Sequence, residues 1–366
     1  MNIKDYGYKE EYLNEVKIRD ERYIPARIIA TYKDRYEIVY DNKKTHARLK
    51  KGSFYDREDA VYPTIGDFVL VELNENGDSL IVETLDRENS FSRVAASSDR
   101  NHKLHHQHEQ VVAANFDYIF IMQSLNEDFN LKRIERYLSL SWASGGAIPV
   151  VILTKRDLCE NYLDFVQEVE DIAFGVDVYA ISTKENEGLE DIKKYFKKGV
   201  TIVLLGSSGV GKSTLVNTLM QKEVMKTSAT REDDSKGRHT TTTRKLLMLP
   251  NGTMIIDTPG MRELGMWDLG QGLDKTFEDV KACLGKCKYK NCTHTNEDGC
   301  KILEKIASGE LSKERYESYI KLKQEESFNV DKTSYLEEKR NKFKDISKLK
   351  KKLKIEIRKI KKECKK

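Results

Sequence analysis

The stretch GSSGVGKST at 206–214 has the residue types and spacing of a phosphate-binding loop. It satisfies G-x-x-x-x-G-K-S/T, follows the apolar run TIVLL and precedes the helix-like TLVNTLM. Glycines let backbone N–H groups wrap phosphates, and a helix N-terminus adds a favourable dipole. We predict that Lys212 reaches the β- and γ-phosphates as a catalytic residue. The predicted nucleotide contacts in this loop are Gly206, Ser207, Ser208, Gly209, Val210, Gly211, Lys212, Ser213 and Thr214.

Two further segments could complete a magnesium site beside that loop. IIDTPG delivers Asp257 to a strand end, where its carboxylate can hold Mg²⁺ through water, and the Gly260 amide can meet the γ-phosphate. In SKGRHTTTTR, Thr240 or Thr241 would join the ion only while a γ-phosphate is present, which makes this loop a switch. We predict that Mg²⁺ binds with GTP at Ser213, Thr241 and Asp257.

A pair of strand-end motifs indicates which base is bound. In TKRD, Asp157 can accept two hydrogen bonds from guanine N1–H and N2–H₂, a pair of donors that adenine lacks. Lys155 can lie along the base, and the Ser-Thr pair of AISTKE suits guanine O6. These motifs favour GTP over ATP. The predicted base contacts are Thr154, Lys155, Arg156, Asp157, Ser182 and Thr183.

The residue that would position the attacking water is not evident. Met261 stands where many GTPases place a glutamine, and an apolar side chain cannot orient water. His239 in the threonine loop is a candidate catalytic substitute, and an outward-facing loop histidine is the alternative. We expect slow intrinsic hydrolysis that awaits a partner.

A dense cysteine cluster indicates a metal site. CLGKCKYKNCTHTNEDGC contains C-x4-C-x-H-x5-C, and three thiolates with one imidazole form a closed structural zinc set. Cys283 is a competing ligand, and buried free cysteines are the alternative. We predict one structural Zn²⁺ per chain, held by Cys287, Cys292, His294 and Cys300.

The order of these motifs predicts a rearranged GTPase sheet. Both base motifs precede the phosphate loop, which precedes the threonine switch and DTPG. Alternating strands and helices from 111 to 270 indicate an α/β sheet, with strands in YIFIMQS, VVILT, VDVYAIS, TIVLLG, KLLMLP and TMIIDT. We therefore predict a circularly permuted P-loop GTPase domain.

The flanking sequence predicts a multi-domain protein. Five short segments, ARIIATY, YEIVY, HARLK, DFVLVEL and SLIVETL, are typical of an OB-type β-barrel, although an SH3-like barrel would leave a similar pattern. The predicted parts are an N-terminal extension at 1–21, the barrel at 22–88, a linker at 89–110, the GTPase domain at 111–270, a zinc-binding domain at 271–334 and an α-helical basic tail at 335–366.

Charge and composition limit which partners the protein could have. Residues 341–366 hold 13 Lys/Arg and 3 Asp/Glu, whereas the other 340 residues hold 51 Lys/Arg and 57 Asp/Glu. The basic tail could therefore bind a polyanion, or it could be a solvated helix. The histidine-rich part of 89–110 could bind metal or be a solvated linker. No apolar run reaches about 18 residues, so nothing should span a membrane, and we predict no membrane partner. The charged N-terminus lacks the apolar core of a signal peptide, which predicts a cytoplasmic protein.

Taken together, the permuted order, T-K-x-D, GSSGVGKST, G-x-H-T-T, DTPG and the cysteine–histidine set resemble the bacterial small-ribosomal-subunit biogenesis GTPases of the RsgA (YjeQ) type. Thr154 departs from the asparagine of many members, and Ser-Thr replaces the more usual Ser-Ala at 182–183.

The resemblance implies an N-terminal OB fold and GTP hydrolysis stimulated by the small subunit late in that subunit's maturation. Its partners would be the small ribosomal subunit and its rRNA, and we expect a monomer. The alternatives are a GTP-regulated RNA-binding assembly module with little turnover, or a GTP-regulated protein acting on a non-ribosomal partner through its basic tail.

Overall fold

The computed structural model describes residues 2–13, 20–56, 60–94, 109–225, 244–257 and 269–330. The histidine tract and the basic tail of the sequence predictions lie outside these residues. Across the described ranges, every helix is too short or too polar to cross a membrane.

Five N-terminal strands form a closed barrel. They are β1 (Tyr23–Thr31), β2 (Tyr36–Tyr40), β3 (Lys43–Leu49), β4 (Phe68–Glu72) and β5 (Ser79–Thr84). β1 pairs antiparallel with β2 and β4, β2 pairs antiparallel with β3, β3 runs parallel to β5, and β5 closes onto β4. Their inward residues, among them Ile28, Ile38 and Val69, are buried together. The ring confirms the predicted OB-type barrel.

A mixed sheet forms the centre of the molecule. Its strands are β8 (Tyr118–Ser124), β9 (Ile148–Thr154), β10 (Asp177–Ala180), β11 (Thr201–Gly206), β12 (Arg244–Met248) and β13 (Met254–Asp257), which confirm all six predicted strands. The spatial order is β10-β9-β8-β11-β13-β12, parallel except for β12. The strand that leads into the phosphate loop therefore lies centrally, although it comes fourth along the chain.

The described helices lie on both faces of this sheet, in the C-terminal part and, for the first of them, against the barrel. They are α1 (Lys51–Phe54), α2 (Leu131–Ala143), α3 (Tyr162–Glu170), α4 (Leu189–Ile192), α5 (Lys212–Met220), α6 (Gly270–Thr276), α7 (Glu278–Lys281), α8 (Lys301–Ser308) and α9 (Lys313–Val330). Asn130 caps α2 by accepting from the Arg133 N–H at 3.2 Å. The predicted apolar face of α2 is buried at Ile134, Tyr137 and Leu138.

The N-terminal extension packs on the outside of the barrel. Two short 3-10 helices, Ile3–Tyr6 and Glu10–Leu13, place Tyr8 and Tyr12 against Phe68 of β4. The rings of Tyr12 and Phe68 stack with centroids 4.9 Å apart. This aromatic burial holds residues 2–13, whose order the sequence alone left open, against the barrel.

A short two-stranded sheet occupies both ends of the predicted linker. β6 (Ser90–Val94) pairs antiparallel with β7 (Glu109–Ala114). Phe91 is buried, and its ring stacks on that of Phe116 at 4.7 Å. The polar composition of 89–110 did not predict these strands, because one buried aromatic residue is too weak a periodic signal.

The buried side chain of Arg27 joins the barrel to the central sheet, a junction we call the barrel seam. Arg27 in β1 is 1% exposed. It donates to the carbonyls of Tyr6, Gly66 and Asn115, and to the Thr201 hydroxyl at the start of β11. β1 also pairs with β12, which makes one continuous sheet of the barrel and the central strands.

The buried side chain of Arg315 joins α9 to α2, which packs on the central sheet, and we call this junction the C-terminal seam. Arg315 donates to Glu135 Oε1 of α2 at 2.9 Å and to both carboxylate oxygens of Asp279 in α7. Ser318 donates to the other Glu135 oxygen. Nearby, a Cβ on Gly272 would lie 2.1 Å from the Ser139 carbonyl oxygen, so α6 can approach α2 this closely only with glycine.

Candidate functional site

The predicted phosphate loop connects β11 to α5 at the C-terminal edge of the sheet. β11 lies between β8 and β13 and is buried along its whole length. A Cβ on Gly206 would lie 2.6 Å from the Met122 carbonyl oxygen, so β8 can pack this close only to glycine. Gly211 has a φ of +99° immediately before α5 begins at Lys212. The glycines are therefore required for the turn that presents its N–H groups to a phosphate.

Two side chains brace this loop from inside the site. Lys212 Nζ donates to the carbonyls of Gly206 and Ser207, both at 2.6 Å. Thr154 Oγ1, at the end of β9, donates to the Val210 carbonyl at 2.7 Å. The first residue of the TKRD motif thus contacts the phosphate loop directly, because both stand at the same edge of a parallel sheet.

Asp128 and Arg133 support the loop from the other side, and the sequence did not predict them. Ser207 Oγ donates to Asp128 Oδ2 at 2.8 Å, and Arg133 donates to both carboxylate oxygens at 2.8 and 3.1 Å. The hydrogen bond from Arg133 lowers the pKa of Asp128, which keeps the carboxylate ionised at neutral pH. The available signal was position: Asp128 follows the end of β8, the strand beside β11.

The TKRD motif leaves β9 through a strained turn. Lys155 has a φ of +60°, a left-handed conformation uncommon for a residue with a side chain. A 3-10 helix over Arg156–Leu158 follows and leaves Asp157 exposed to solvent. The turn therefore presents a carboxylate beyond the edge of the sheet, where a base can reach it.

The second base motif meets that carboxylate. Ser182 is fully buried, and its Oγ donates to Asp157 Oδ1 at 2.6 Å. The same hydroxyl accepts from the Glu185 N–H at 3.1 Å, and the half-buried Thr183 follows at the start of this loop. The structure thus brings together two motifs that are 25 residues apart in the chain.

The described part of the predicted magnesium site spans neighbouring elements. Ser213 lies in the first turn of α5, and Asp257 ends β13, where it pairs in register with Leu204 of β11. A hydroxyl and a carboxylate are oxygen ligands of the kind Mg²⁺ prefers, so both residues suit the ion. His239, Thr240, Thr241 and Gly260 lie outside the described residues.

A cavity of about 660 Å³ opens between the phosphate loop, α2 and α9. The described residues that line it include Lys155 and Ser208, one carboxylate from Asp128, and further cations from α2 and α9. The basic members are Lys132, Arg133, Arg136, Lys155 and Lys321. An excess of cations beside the loop suits a polyphosphate.

The four predicted zinc ligands converge in the C-terminal part. Their ligand atoms all lie within 4.8 Å of one another. His294 Nδ1 is 3.3 Å from Cys300 Sγ and 3.5 Å from Cys287 Sγ, and the two sulfurs are 4.0 Å apart. Around a tetrahedral zinc such atoms lie roughly 3.5–3.8 Å apart, given Zn–S of about 2.3 Å and Zn–N of about 2.0–2.1 Å. With Cys292 completing the set, the cluster could hold a metal ion.

Cys283 does not join this cluster. It is buried, and its Sγ lies 3.4 Å from the Asp279 carbonyl oxygen, to which it donates. The alternative ligand considered from the sequence is thereby excluded among the described residues. Glu297 instead organises the loop, because it accepts from Thr293 and from the N–H of Thr295, and these hydrogen bonds lower its pKa to about 2.

Comparison with known proteins identifies the family. A sequence model described as RsgA GTPase matches residues 84–267. Small ribosomal subunit biogenesis GTPase RsgA 2 of Listeria monocytogenes is 40% identical over 334 residues, which cover 91% of this chain and 92% of that protein. The chain belongs to the RsgA GTPase family. RsgA 1 of Listeria innocua is 41% identical over 350 residues, covering 95% of this chain and 96% of that RsgA protein.

Solved structures show the same fold as this RsgA-family GTPase. YjeQ from Thermotoga maritima aligns with a TM-score of 0.58 at 24% identity and covers 83% of this chain and 98% of its own. YloQ, described as a circularly permuted GTPase, aligns with a TM-score of 0.54 at 23% identity and covers 85% and 98%. The predicted resemblance and the predicted GTP-hydrolysing class are both confirmed.

Proposed function

We propose that this protein binds the small ribosomal subunit, acts late in its maturation, and hydrolyses GTP to GDP and phosphate in a reaction that the subunit stimulates. The observation that carries the nucleotide part is the convergence of Asp157, Ser182 and the phosphate loop at one sheet edge. The names of the RsgA relatives support the partner.

In this proposal each residue of the nucleotide site has a chemical task. Asp157 accepts from guanine N1–H and N2–H₂, and Lys212 moves from the loop carbonyls to the β- and γ-phosphates. Ser213 and Asp257 would hold Mg²⁺, and the ion would supply positive charge beside the phosphates. Asp128 keeps Ser207 and its turn in place. His239 remains the proposed group that orients water.

The C-terminal cluster would hold one structural zinc ion. Three thiolates and one imidazole leave no open coordination position, which is typical of a site that stabilises a fold. Binding releases protons from the thiols and stabilises the small domain that carries α8 and α9. The barrel, this domain and the basic tail would contact rRNA, and the protein would act as a monomer in the cytoplasm.

The test is GTP turnover by the purified protein alone, with small subunits and with large subunits. We expect a large rise with small subunits only, abolished by Lys212→Ala. The salt dependence of subunit binding should be steep, since contacts to rRNA release counterions. An absence of stimulation by either subunit would contradict the proposed partner.

A further inference from the structure

The side chain of Arg156 connects the two loops that carry the base contacts. Its guanidinium carbon lies 4.1 Å from the ring centroid of Tyr162 at the start of α3. Its Nε lies 3.4 Å from Glu187 Oε2 in the loop after β10. The Arg156 N–H also donates to the Ile181 carbonyl at 3.1 Å. Arg156 is therefore held by the start of α3 on one side and by the second base loop on the other.

Glu187 is linked to Asp157 through Ser182. The backbones of Glu187 and Ser182 exchange hydrogen bonds in both directions, at 2.9 and 3.0 Å. The Ser182 hydroxyl then donates to Asp157 Oδ1 at 2.6 Å. Because Asp157 follows Arg156 in the chain, these contacts close into a ring. We call it the base ring, and its members are Arg156, Glu187, Ser182 and Asp157.

We propose that Arg156 is a positioning residue that sets selectivity for guanine through the base ring. The proposal rests on the proposed binding of guanine by Asp157. Discrimination by this carboxylate depends on orientation, because N1–H and N2–H₂ must each meet an oxygen. The terminal torsion of an aspartate is broad, and Asp157 is exposed, so an external contact is needed to fix it. The Ser182 hydroxyl makes that contact, and Arg156 holds the loop that carries Ser182.

The size of the effect follows from the exposure of the pair. The side chain of Arg156 is 29% exposed and that of Glu187 is 50% exposed, so their ion pair alone is weak. The stack of Arg156 on Tyr162 adds a second contact of similar strength. We expect loss of both to change selectivity roughly tenfold, which corresponds to about 1.4 kcal/mol.

The experiment compares GTP with inosine triphosphate, which differs from GTP by lacking the N2 amino group. Dissociation constants for both are measured by calorimetry on the full-length protein. The wild type should prefer GTP, and Arg156→Ala should narrow this preference roughly tenfold. Arg156→Lys should restore part of it, since an ammonium can still pair with Glu187 and lie over Tyr162.

Two further variants sharpen the test. Glu187→Gln should narrow the preference in the same direction, because it breaks the base ring at its second member. Lys184→Ala is the matched control: it removes one positive charge from the same loop, where Lys184 pairs with Glu185 rather than with the ring. Its preference for GTP should equal that of the wild type.

Failure of the inference differs from failure of the proposed function. If the wild type prefers GTP but Arg156→Ala weakens both nucleotides equally, Arg156 does not act through the carboxylate and the inference is overturned. If the wild type itself does not distinguish the two nucleotides, the guanine site is wrong. Should Arg156→Ala fail to fold, Glu187→Gln decides, and an unchanged preference there overturns the inference.

Discussion

The two seams of the molecule bury an arginine each, and they satisfy it with opposite chemistry. In the barrel seam, Arg27 meets backbone carbonyls and one hydroxyl, all of them neutral. In the C-terminal seam, Arg315 meets the carboxylates of Glu135 and Asp279 as well as one carbonyl. Burial lowers the pKa of Arg27 to about 10, so it remains a cation at neutral pH.

The difference predicts how each junction responds to its surroundings. Neutral acceptors keep their hydrogen-bonding capacity across the physiological pH range, so the barrel seam should behave as a fixed joint. Carboxylates change with protonation, and a buried ion pair is strongly destabilised when one partner is removed. The C-terminal seam should therefore be the junction that mutation and solution conditions can open.

Removal of the proposed zinc ion should have the largest effect on stability, and only on the C-terminal side. Structural zinc sites in finger peptides show apparent binding free energies of about 10 kcal/mol or more. Chelation, or Cys300→Ala, should therefore abolish hydrogen-exchange protection in α8, while β1 and β11 at the barrel seam stay protected.

The matched control for metal removal is Cys283→Ala, since Cys283 and Cys300 are both buried but only Cys300 belongs to the cluster. Equal protection of α8 in the two variants would show that the cluster does not hold this domain.

Removal of Arg315, the charged partner of Glu135, should have the second-largest effect on stability. Arg315→Leu leaves the Glu135 carboxylate buried without its arginine, so we expect a destabilisation of about 3–5 kcal/mol. Urea unfolding measures it. Arg315→Leu combined with Glu135→Leu should recover part of the loss, because no uncompensated charge then remains in α2. A double variant as unstable as the single one would argue against charge as the cause.

The equivalent change in the barrel seam should be milder. Arg27→Met removes a hydrogen bond from each of four acceptors but also removes a buried cation, so we expect a destabilisation of about 2–3 kcal/mol in urea unfolding. Arg22→Met is the control, because Arg22 is 71% exposed and its pair with Asp20 should contribute little. A larger loss of unfolding free energy in Arg27→Met than in Arg315→Leu would contradict the expected order of the two seams.

The smallest effect should be the dependence on pH. Burial raises the pKa of Glu135, so the folded state holds this proton more tightly than the unfolded chain. The contribution of Glu135 to stability is complete below its ordinary pKa of 4.5 and is lost as the pH rises through the folded value.

The unfolding free energy of the wild type, relative to that of Glu135→Gln, should therefore fall as the pH rises from 4. The difference between wild type and Arg27→Met should stay constant from pH 5 to 8. Parallel curves for Glu135→Gln would remove the pH contrast between the seams.

The elements of the fold were predictable because their signals are local. Barrel and sheet strands carry β-branched runs, and the phosphate loop and TKRD motif have fixed spacings next to strands. The cysteine spacing likewise predicted all four members of the metal cluster. The strands at Ser90–Val94 and Glu109–Ala114 were not predicted, because most of the segment between them is polar and their apolar stretches, such as Val112, Ala113 and Ala114, are too short to show a clear period.

What joins the domains was not predictable, since it depends on distant partners. Arg27 lies within ARIIATY, where its position indicates a barrel strand and nothing of Thr201, 174 residues away. Glu135 is a polar residue of α2 in the sequence, and its buried partners Arg315 and Ser318 come from α9, 180 and 183 residues away. In the sequence Asp128 is an ordinary loop carboxylate, and its role is visible only in the fold, where Ser207 from the end of the neighbouring strand lies beside it.

The pairing of β1 with β12 has a consequence for dissecting this protein. Ala30 and Thr31 of the barrel pair with Lys245 and Arg244, so the barrel covers the outer side of β12 at that point. A GTPase domain excised without its barrel would expose these backbone groups as an open strand edge, a template on which other chains can add. Self-association of such a fragment would then reflect the cut rather than the native protein.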